Sequence, residues 1–229
     1  MEKRHAARGT GDQPLSGLIR FLRQKRWARR ALSGLSALLI LLSVVLLGYP
    51  VYTNWVHNRL QGRLGHQLAS PTLQDAYRHH RLREGDALTR IRIPKLGVDV
   101  VVVEGTSLSA LRAGAGHYPE TPLPCDDGNV AIAGHRTTYG KPFANIDQLS
   151  PGDQIFLETP IGTCAYQVDR PPAGQPTAGS AAFVVLPNAF WVVANKVGHH
   201  ALTLTSCHPR GSASRRIVIK ATMVSSAVA

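Results

Sequence analysis

The sequence predicts a mainly β fold, an eight-stranded β-barrel with short helices, preceded by one N-terminal transmembrane helix. Residues 31–49 form an apolar run without a charged side chain. From residue 89 onwards, short runs of β-branched and apolar residues alternate with Gly/Pro loops, and little helical periodicity separates them. Because this pattern lacks the crossover helices of a doubly wound parallel sheet, it favours an antiparallel or mixed barrel.

The apolar run 31–49 predicts a single membrane span. A helix of this length at about 1.5 Å per residue measures roughly 28 Å, close to the hydrocarbon thickness of a bilayer. No charged side chain occurs between Arg30 and Arg59. A cleaved signal peptide would have a shorter apolar region and a small-residue cleavage site, whereas "GYPVYTNW" follows here. Its Tyr and Trp residues are typical of an interfacial aromatic belt, so we place the transmembrane helix at 31–52.

The basic excess of the chain lies mostly in its N-terminal arm. The net charge of the 229 residues is +12, and residues 1–30 carry nine Lys/Arg against two acidic residues, a net of +7. Under the positive-inside rule, arm 1–30 stays cytoplasmic and the domain after the span is extracytoplasmic. The charge is therefore a topology signal, and no nucleic-acid partner is expected.

The part of the chain after the span divides into two segments. Residues 53–88 are polar, with a loose helical spacing of leucines broken by "SP" at 70–71, and we interpret them as an extracytoplasmic stalk or linker. Residues 89–229 carry the β pattern and form the predicted barrel domain.

The barrel elements follow from local patterns. Residues 88–105 predict two strands separated by Pro94 and Gly97, and residues 107–114 predict a short helix with Ser107 as its N-cap. Further strands are predicted at 129–135, at the end of 142–159, and at 164–169, 183–187, 201–206 and 216–224.

Three residue types with complementary chemistry lie at predicted strand ends. Cys207 follows "TLTS", His135 ends "NVAIAGH", and Arg215 and Arg216 open the last strand. A rigid barrel can hold such side chains exposed and positionally fixed. A thiolate needs a positive neighbour such as an imidazolium, and a guanidinium can stabilise the oxyanion of acyl transfer. Strand alternation allows only one of the two arginines to face a common site.

Several of these segments resemble one known family. "TLTSC" at 203–207, followed nine residues later by an arginine that opens an apolar strand, is similar to the active-site signature of sortases. The segment "GHRTTYG" resembles the class E sortases of high-GC Gram-positive bacteria. By position, the resemblance implies that His135 is the catalytic histidine, Cys207 the nucleophile and Arg216 the arginine of the site.

The resemblance also implies a fold and a reaction. The fold is the eight-stranded sortase-type barrel, and the activity is that of a membrane-anchored cysteine transpeptidase. It would cleave a Leu-Pro/Ala-x-Thr-Gly-like sorting signal between Thr and Gly through a thioacyl-enzyme. The expected partners are surface proteins bearing a C-terminal sorting signal, and an amine of the cell-wall precursor or of a pilin as acceptor. No cofactor is expected.

Two other function classes compete with the transpeptidase hypothesis. The first is a non-catalytic sortase-like module that binds a peptide at the cell surface, although such a module has no need to keep all three site residues. The second is a thiol-redox protein, which the absence of a C-x-x-C motif disfavours.

Two neighbours of the catalytic residues are candidate substrate contacts. Tyr139 follows the histidine in a segment that class E relatives use to accept Ala in place of Pro; the alternative is a ring that packs on the barrel rim. Ser206 stands where the family usually has Thr before the cysteine. It keeps the hydroxyl and loses a methyl group, which predicts altered substrate packing.

The other two cysteines have no motif around them. A disulfide between Cys125 and Cys164 would leave Cys207 free and account for the odd number of thiols outside the membrane. The sequence does not supply the Cα separation that such a bond requires, so paired and free thiols both remain open.

No metal site is expected. The only candidate zinc cluster is formed by His199, His200, Cys207 and His208. Its spacing matches no zinc finger, and adjacent pairs of ligands cannot easily aim at one ion.

Overall fold

The computed structural model describes residues 26–195 and 197–228, so most of the basic arm 1–30 lies outside the described residues. Helix α1 spans Arg26–Leu68, helix α2 spans Pro71–Arg78 and helix α3 spans Leu108–Leu111. Within the described part of the chain, α1 is the one helix that is long and apolar enough to cross a membrane. The chain divides into two compact units, of which the second is Pro50–Ala229.

The second half of α1 belongs to the folded domain. Leu60, Leu64 and Leu68 recur every four residues and pack on an apolar cluster of the barrel wall and α3. Gln61 donates from Nε2 to the carbonyls of Val101 and Ala113, at 2.8 Å each, and accepts from the Val101 N–H at 2.7 Å. The sequence placed the domain start at residue 89. The compact unit begins at Pro50 and therefore includes the part of α1 that carries these leucines.

Nine strands were found in the described residues, and eight of them close a barrel, as predicted. They are β1 Ala87–Ile93, β2 Val98–Glu104, β3 Ala115–His117, β4 Gly128–Gly134, β5 Gln154–Thr159, β6 Gly162–Val168, β7 Phe183–Val185, β8 His200–His208 and β9 Arg215–Val228. The order β6-β5-β1-β2-β3-β4-β8-β9 closes where β9 pairs with β6.

Strand β9 has two partners on the same side because it is long. Its first residues pair with β7, and residues from Ala221 onwards pair with β6. Strand β7 therefore lies outside the closed ring of eight strands. The β4–β8 and β2–β3 pairs are parallel, and the other neighbouring pairs are antiparallel.

The barrel interior is filled by inward-facing side chains of the strands and of the segment between β4 and β5. The largest fully buried members include Ile91, Ile132, Phe143, Leu157, Tyr166 and Leu202. This core makes the strand ends rigid supports for the polar groups described below.

The structure decides the open question about the cysteines. Cys125 and Cys164 form a disulfide with their Cα atoms 5.8 Å apart, and Cys207 is free. Cys164 is fully buried in β6, and Cys125 lies in the turn before β4. The bond therefore joins a loop of the barrel to its opposite wall.

Candidate active site

Three neighbouring strands bring the predicted site residues to one end of the barrel. Strands β4 and β8 are parallel, with Ala133 opposite Thr205. His135 and Cys207 each lie two residues further along their chains, so the register carries both to the same end. Strands β8 and β9 are antiparallel, with Cys207 directly opposite Arg216.

The same three side chains belong to one face of the sheet. Leu204 and Ile132 are core residues, and Cys207 and His135 each lie three positions beyond one of them, on the outer face. Arg216 shares that face because directly opposed residues of an antiparallel pair point to the same side. Strand β4 ends at Gly134, but the His135 N–H donates to the Gly114 carbonyl at 3.2 Å, which continues the pairing with the β3 side.

Cys207 is a half-buried free thiol close to the end of β8. The strand runs one residue beyond it, so its backbone is held by the ladder with β9, whereas the sequence placed it just after the strand. A thiol in this position is fixed in direction and accessible from outside the barrel.

Arg216, and not Arg215, shares the outer face with Cys207. Arg215 lies opposite His208 on the alternate face. The Nη1 group of Arg216 donates to the carbonyls of Ala213 at 2.8 Å and Arg215 at 3.0 Å. These two bonds hold the guanidinium beside the strand end, where it can donate to an anionic or carbonyl oxygen.

His135 begins a tight loop that also carries Tyr139. The Phe143 N–H donates to the His135 carbonyl at 3.1 Å and closes this loop. The rings of His135 and Tyr139 lie with their centroids 5.4 Å apart and their planes inclined by 37°. Burial lowers the pKa of His135. The imidazole of His135 is therefore mostly neutral at pH 7. The ring contact shows that His135 and Tyr139, both predicted site residues, are neighbours.

Ser206 lies on the opposite face of β8 from Cys207. Its side chain is buried, and its Oγ donates to the Gly134 carbonyl at 2.7 Å. This bond joins β8 to β4 one residue before Cys207 and one residue before His135. The placement favours a positioning role for Ser206 over the substrate contact expected from the sequence.

A small, mostly apolar pocket is lined in part by Arg216. Strand β7 and the loop after it supply most of its wall: Val185, Leu186, Pro187, Ala189, Phe190, Val192 and Val193. Tyr118 completes it, and its hydroxyl lies 3.0 Å from Oγ1 of Thr205. Such a pocket can accept an aliphatic side chain of a bound peptide.

A polar network that the sequence did not reveal holds this loop on the barrel. Asn129 donates from Nδ2 to the carbonyls of Val192 and Ala194, at 3.1 Å each. Thr203 donates to Oδ1 of Asn129 at 2.6 Å, and Lys220 donates to Thr203 at 2.7 Å and to the Val192 carbonyl. The one sequence signal was Lys220 itself, a charge flanked by apolar residues in "IVIKA" at 217–221.

Within residues 26–195 and 197–228, no group of three or more His, Cys, Asp or Glu side chains could hold a metal ion. His200 begins β8 and Cys207 lies near its end, so the strand separates them by roughly 20 Å. The zinc arrangement considered from the sequence would have to span that distance.

A family model described as "Sortase domain" matches residues 91–224. A curated relative, sortase SrtE1 of Streptomyces coelicolor, is 31% identical over 193 residues, which cover 79% of this chain and 54% of the relative. The sortase D of Bacillus subtilis is 28% identical over 138 residues, 59% of this chain and 63% of the relative. The chain therefore spans only about half to two thirds of the length of these curated relatives.

Solved structures share the same architecture. A sortase D5 transpeptidase of Clostridium perfringens superimposes with a TM-score of 0.61 at 26% identity, covering 74% of this chain and 99% of that one. The sortase E1 of Streptomyces coelicolor, crystallised with a tripeptide in its active site, gives a TM-score of 0.54 at 30% identity, covering 63% and 91%.

Proposed function

The chain belongs to the sortase family, and from that membership we propose that it is a membrane-anchored cysteine transpeptidase whose site is formed by Cys207, His135 and Arg216. The observation that carries this proposal is the register of β4, β8 and β9, which brings the three residues to one end and one face of the barrel. Residues that lie far apart along the chain are thereby held near one another by rigid strands.

The first half of the proposed reaction forms a thioacyl-enzyme. The Cys207 thiolate attacks the carbonyl carbon of Thr in the sorting signal, and the oxyanion of the tetrahedral intermediate accepts hydrogen bonds from Arg216. His135, as the imidazolium, gives its proton to the departing Gly amine as the C–N bond breaks. The peptide that begins with Gly leaves, and the acyl group remains on sulfur.

The second half transfers the acyl group. An amine of the cell-wall precursor or of a pilin attacks the thioester carbon, and His135 accepts the proton that this amine loses. The C–S bond breaks, Cys207 leaves as thiolate, and a new amide is formed. The enzyme returns to the Cys⁻/His⁺ state from which it started.

The ionisation of His135 limits how much enzyme is ready to react. Burial lowers the pKa of His135, so its imidazolium form is a minor species at neutral pH. Only enzyme with both a thiolate and an imidazolium can begin the first step. We expect activity to depend on two ionisations, of which the one that belongs to His135 lies below its ordinary value of 6.5.

The substrate is expected to be a surface protein with a C-terminal Leu-Pro/Ala-x-Thr-Gly-like signal. The apolar pocket beside Arg216 fits the aliphatic residue of that signal. Tyr139, whose ring lies next to that of His135, is our candidate contact for the Pro/Ala residue of the signal. Under the positive-inside rule, the basic charge of residues 1–30 supports a topology with the N-terminus in the cytoplasm and the barrel on the other side of the membrane.

The test is an adduct experiment on the full chain in detergent micelles. A peptide carrying Leu-Ala-x-Thr-Gly, or the same peptide with Pro, is added, and the intact mass of the protein is measured. We expect an increase equal to the peptide segment up to Thr, and no increase in Cys207→Ala. Tight peptide binding without an adduct would instead indicate the non-catalytic binding module.

A further inference from the structure

We propose that His57, on α1, is a positioning residue for the loop that carries His135 and Tyr139. The expected effect of His57 on catalysis rests on the proposed function. Its effect on the structure of the loop can be measured without any enzymatic activity. His57 precedes the region matched by the sortase family, which begins at residue 91.

His57 is buried against the domain. Its exposed fraction is 7%, whereas Asn58 and Arg59, the next residues of α1, are exposed. Thr53, one turn earlier, is 1% exposed. This face of the helix therefore lies on the domain, and a polar ring occupies a position where a leucine would give more apolar burial.

The His57 ring lies between two glycine backbones. A methyl group built on Gly114 would be 2.8 Å from Cε1 and 3.0 Å from Nδ1 of the ring. A methyl group built on Gly140 would overlap Nε2 and Cδ2 of the same ring. Both backbones are thus in direct contact with the His57 ring. A residue with a side chain at either glycine position would prevent so close an approach.

These two glycines belong to the support of the candidate active site. The Gly114 carbonyl accepts the hydrogen bond from the His135 N–H at 3.2 Å. Gly140 follows Tyr139, whose ring lies beside that of His135. The His57 ring therefore fills the space between the start of the catalytic loop and its turn.

The turn in this loop has an uncommon backbone. Tyr139, Gly140 and Lys141 have φ values of 48°, 71° and 41°, so three successive residues lie in the left-handed region. Residues other than glycine disfavour the left-handed region. A turn with this backbone conformation persists only when the surrounding structure stabilises it. The His57 ring provides one such stabilising contact, because it packs directly on Gly140.

The expected consequence is specific to the loop. Removing the ring leaves a space beneath Gly140 into which the turn can relax, which moves Tyr139 and weakens the support of His135. His57 itself acts through the loop, so its loss should reduce turnover without abolishing it. The pairing of β8 and β9 should be unaffected.

The matched control is Leu64, two turns further along α1 and also 7% exposed. Leu64 packs on the apolar cluster that contains Val103 and Ala110 and that includes no residue of the loop 135–143. Leu64→Ala should therefore lower stability at least as much as His57→Ala. It should leave the catalytic loop unchanged.

The experiment combines hydrogen exchange with kinetics on the full chain in micelles. In His57→Ala we expect the amides of residues 135–143 to exchange about tenfold faster and kcat to fall about tenfold, with KM changed less. In Leu64→Ala we expect neither change. His57→Gln, which refills the space with a planar amide, should restore most of the protection of the loop.

Three outcomes would overturn the proposal. They are unchanged exchange of residues 135–143 in His57→Ala, an equal effect of Leu64→Ala on those residues, and His57→Gln behaving like His57→Ala. If the unmodified protein forms no acyl adduct, the proposed function fails, but the hydrogen-exchange comparison still decides whether His57 positions the loop.

Discussion

The Cys125–Cys164 disulfide allows a prediction whose magnitude follows from the structure. The bond joins residues that are 39 positions apart. In the chain-entropy model, a loop of this length lowers the entropy of the unfolded chain by about 13 cal/mol/K, which corresponds to about 4 kcal/mol of stability at 25 °C. Because Cys164 is fully buried in the core, replacing it by Ala also leaves a small cavity.

The measurement is urea unfolding followed by tryptophan fluorescence in a Cys207→Ala background, which excludes thiol exchange. The oxidised protein is compared with the same protein under reductant, which isolates the cross-link, and with Cys125→Ala/Cys164→Ala. With an m-value of roughly 2 kcal/mol/M, the midpoint should fall by about 2 M on reduction. A loss below about 1 kcal/mol on reduction would refute the argument, since the cross-link would then not restrict the unfolded chain as assumed.

Three further predictions concern the site. Ser206→Ala should cost about 1–3 kcal/mol by urea unfolding, because the buried hydrogen bond from the Ser206 hydroxyl to the Gly134 carbonyl is lost, whereas Ser206→Thr should keep the bond and most of the activity; equal stability of the two variants would contradict this. Arg216→Ala should lower kcat/KM for the signal peptide by about 10²–10³, while Arg215→Ala, on the other face, should change it little; similar losses in both would show that the wrong arginine was assigned. Burial lowers the pKa of His135, so the unfolded chain binds a proton at this residue at higher pH than the folded chain does. The free energy of unfolding is therefore unaffected by this residue above about pH 6.5 and falls as the pH drops below it. Denaturation between pH 7 and 5 should therefore show a smaller loss of stability for His135→Gln than for the unmodified protein, and parallel curves would count against the buried histidine.

Local patterns were sufficient for most of the elements. The uncharged run 31–49 predicted a helix that is long and apolar enough for a membrane span, because length and hydrophobicity are properties of the run itself. Strands β1 and β2, with Pro94 and Gly97 between them, were predicted because β-branched residues and breakers act over a few positions. The cap of α3 by Ser107 is equally local, and its Oγ accepts from the Ala110 N–H.

Elements without a local pattern were missed. Strand β3, with the sequence Ala-Gly-His, has neither alternation nor an apolar run, and it exists because its backbone pairs with β2 on one side and β4 on the other. Residues 53–68 were interpreted from the loose helical spacing of their leucines as the helical part of a stalk. That these leucines pack on the barrel depends on the surface that faces them, which no local pattern shows.

By itself, the sequence determined the kind of fold, the apolar N-terminal helix and the identity of the candidate residues, because composition, periodicity and short motifs are carried by neighbouring positions. Only the tertiary structure decided that Cys125 pairs with Cys164, that Arg216 rather than Arg215 faces Cys207, and that His57 packs on Gly114 and Gly140. Each of these depends on the register of strands and on contacts between residues far apart in the chain. The stabilisation that such contacts provide cannot be predicted from the residues of any one local segment.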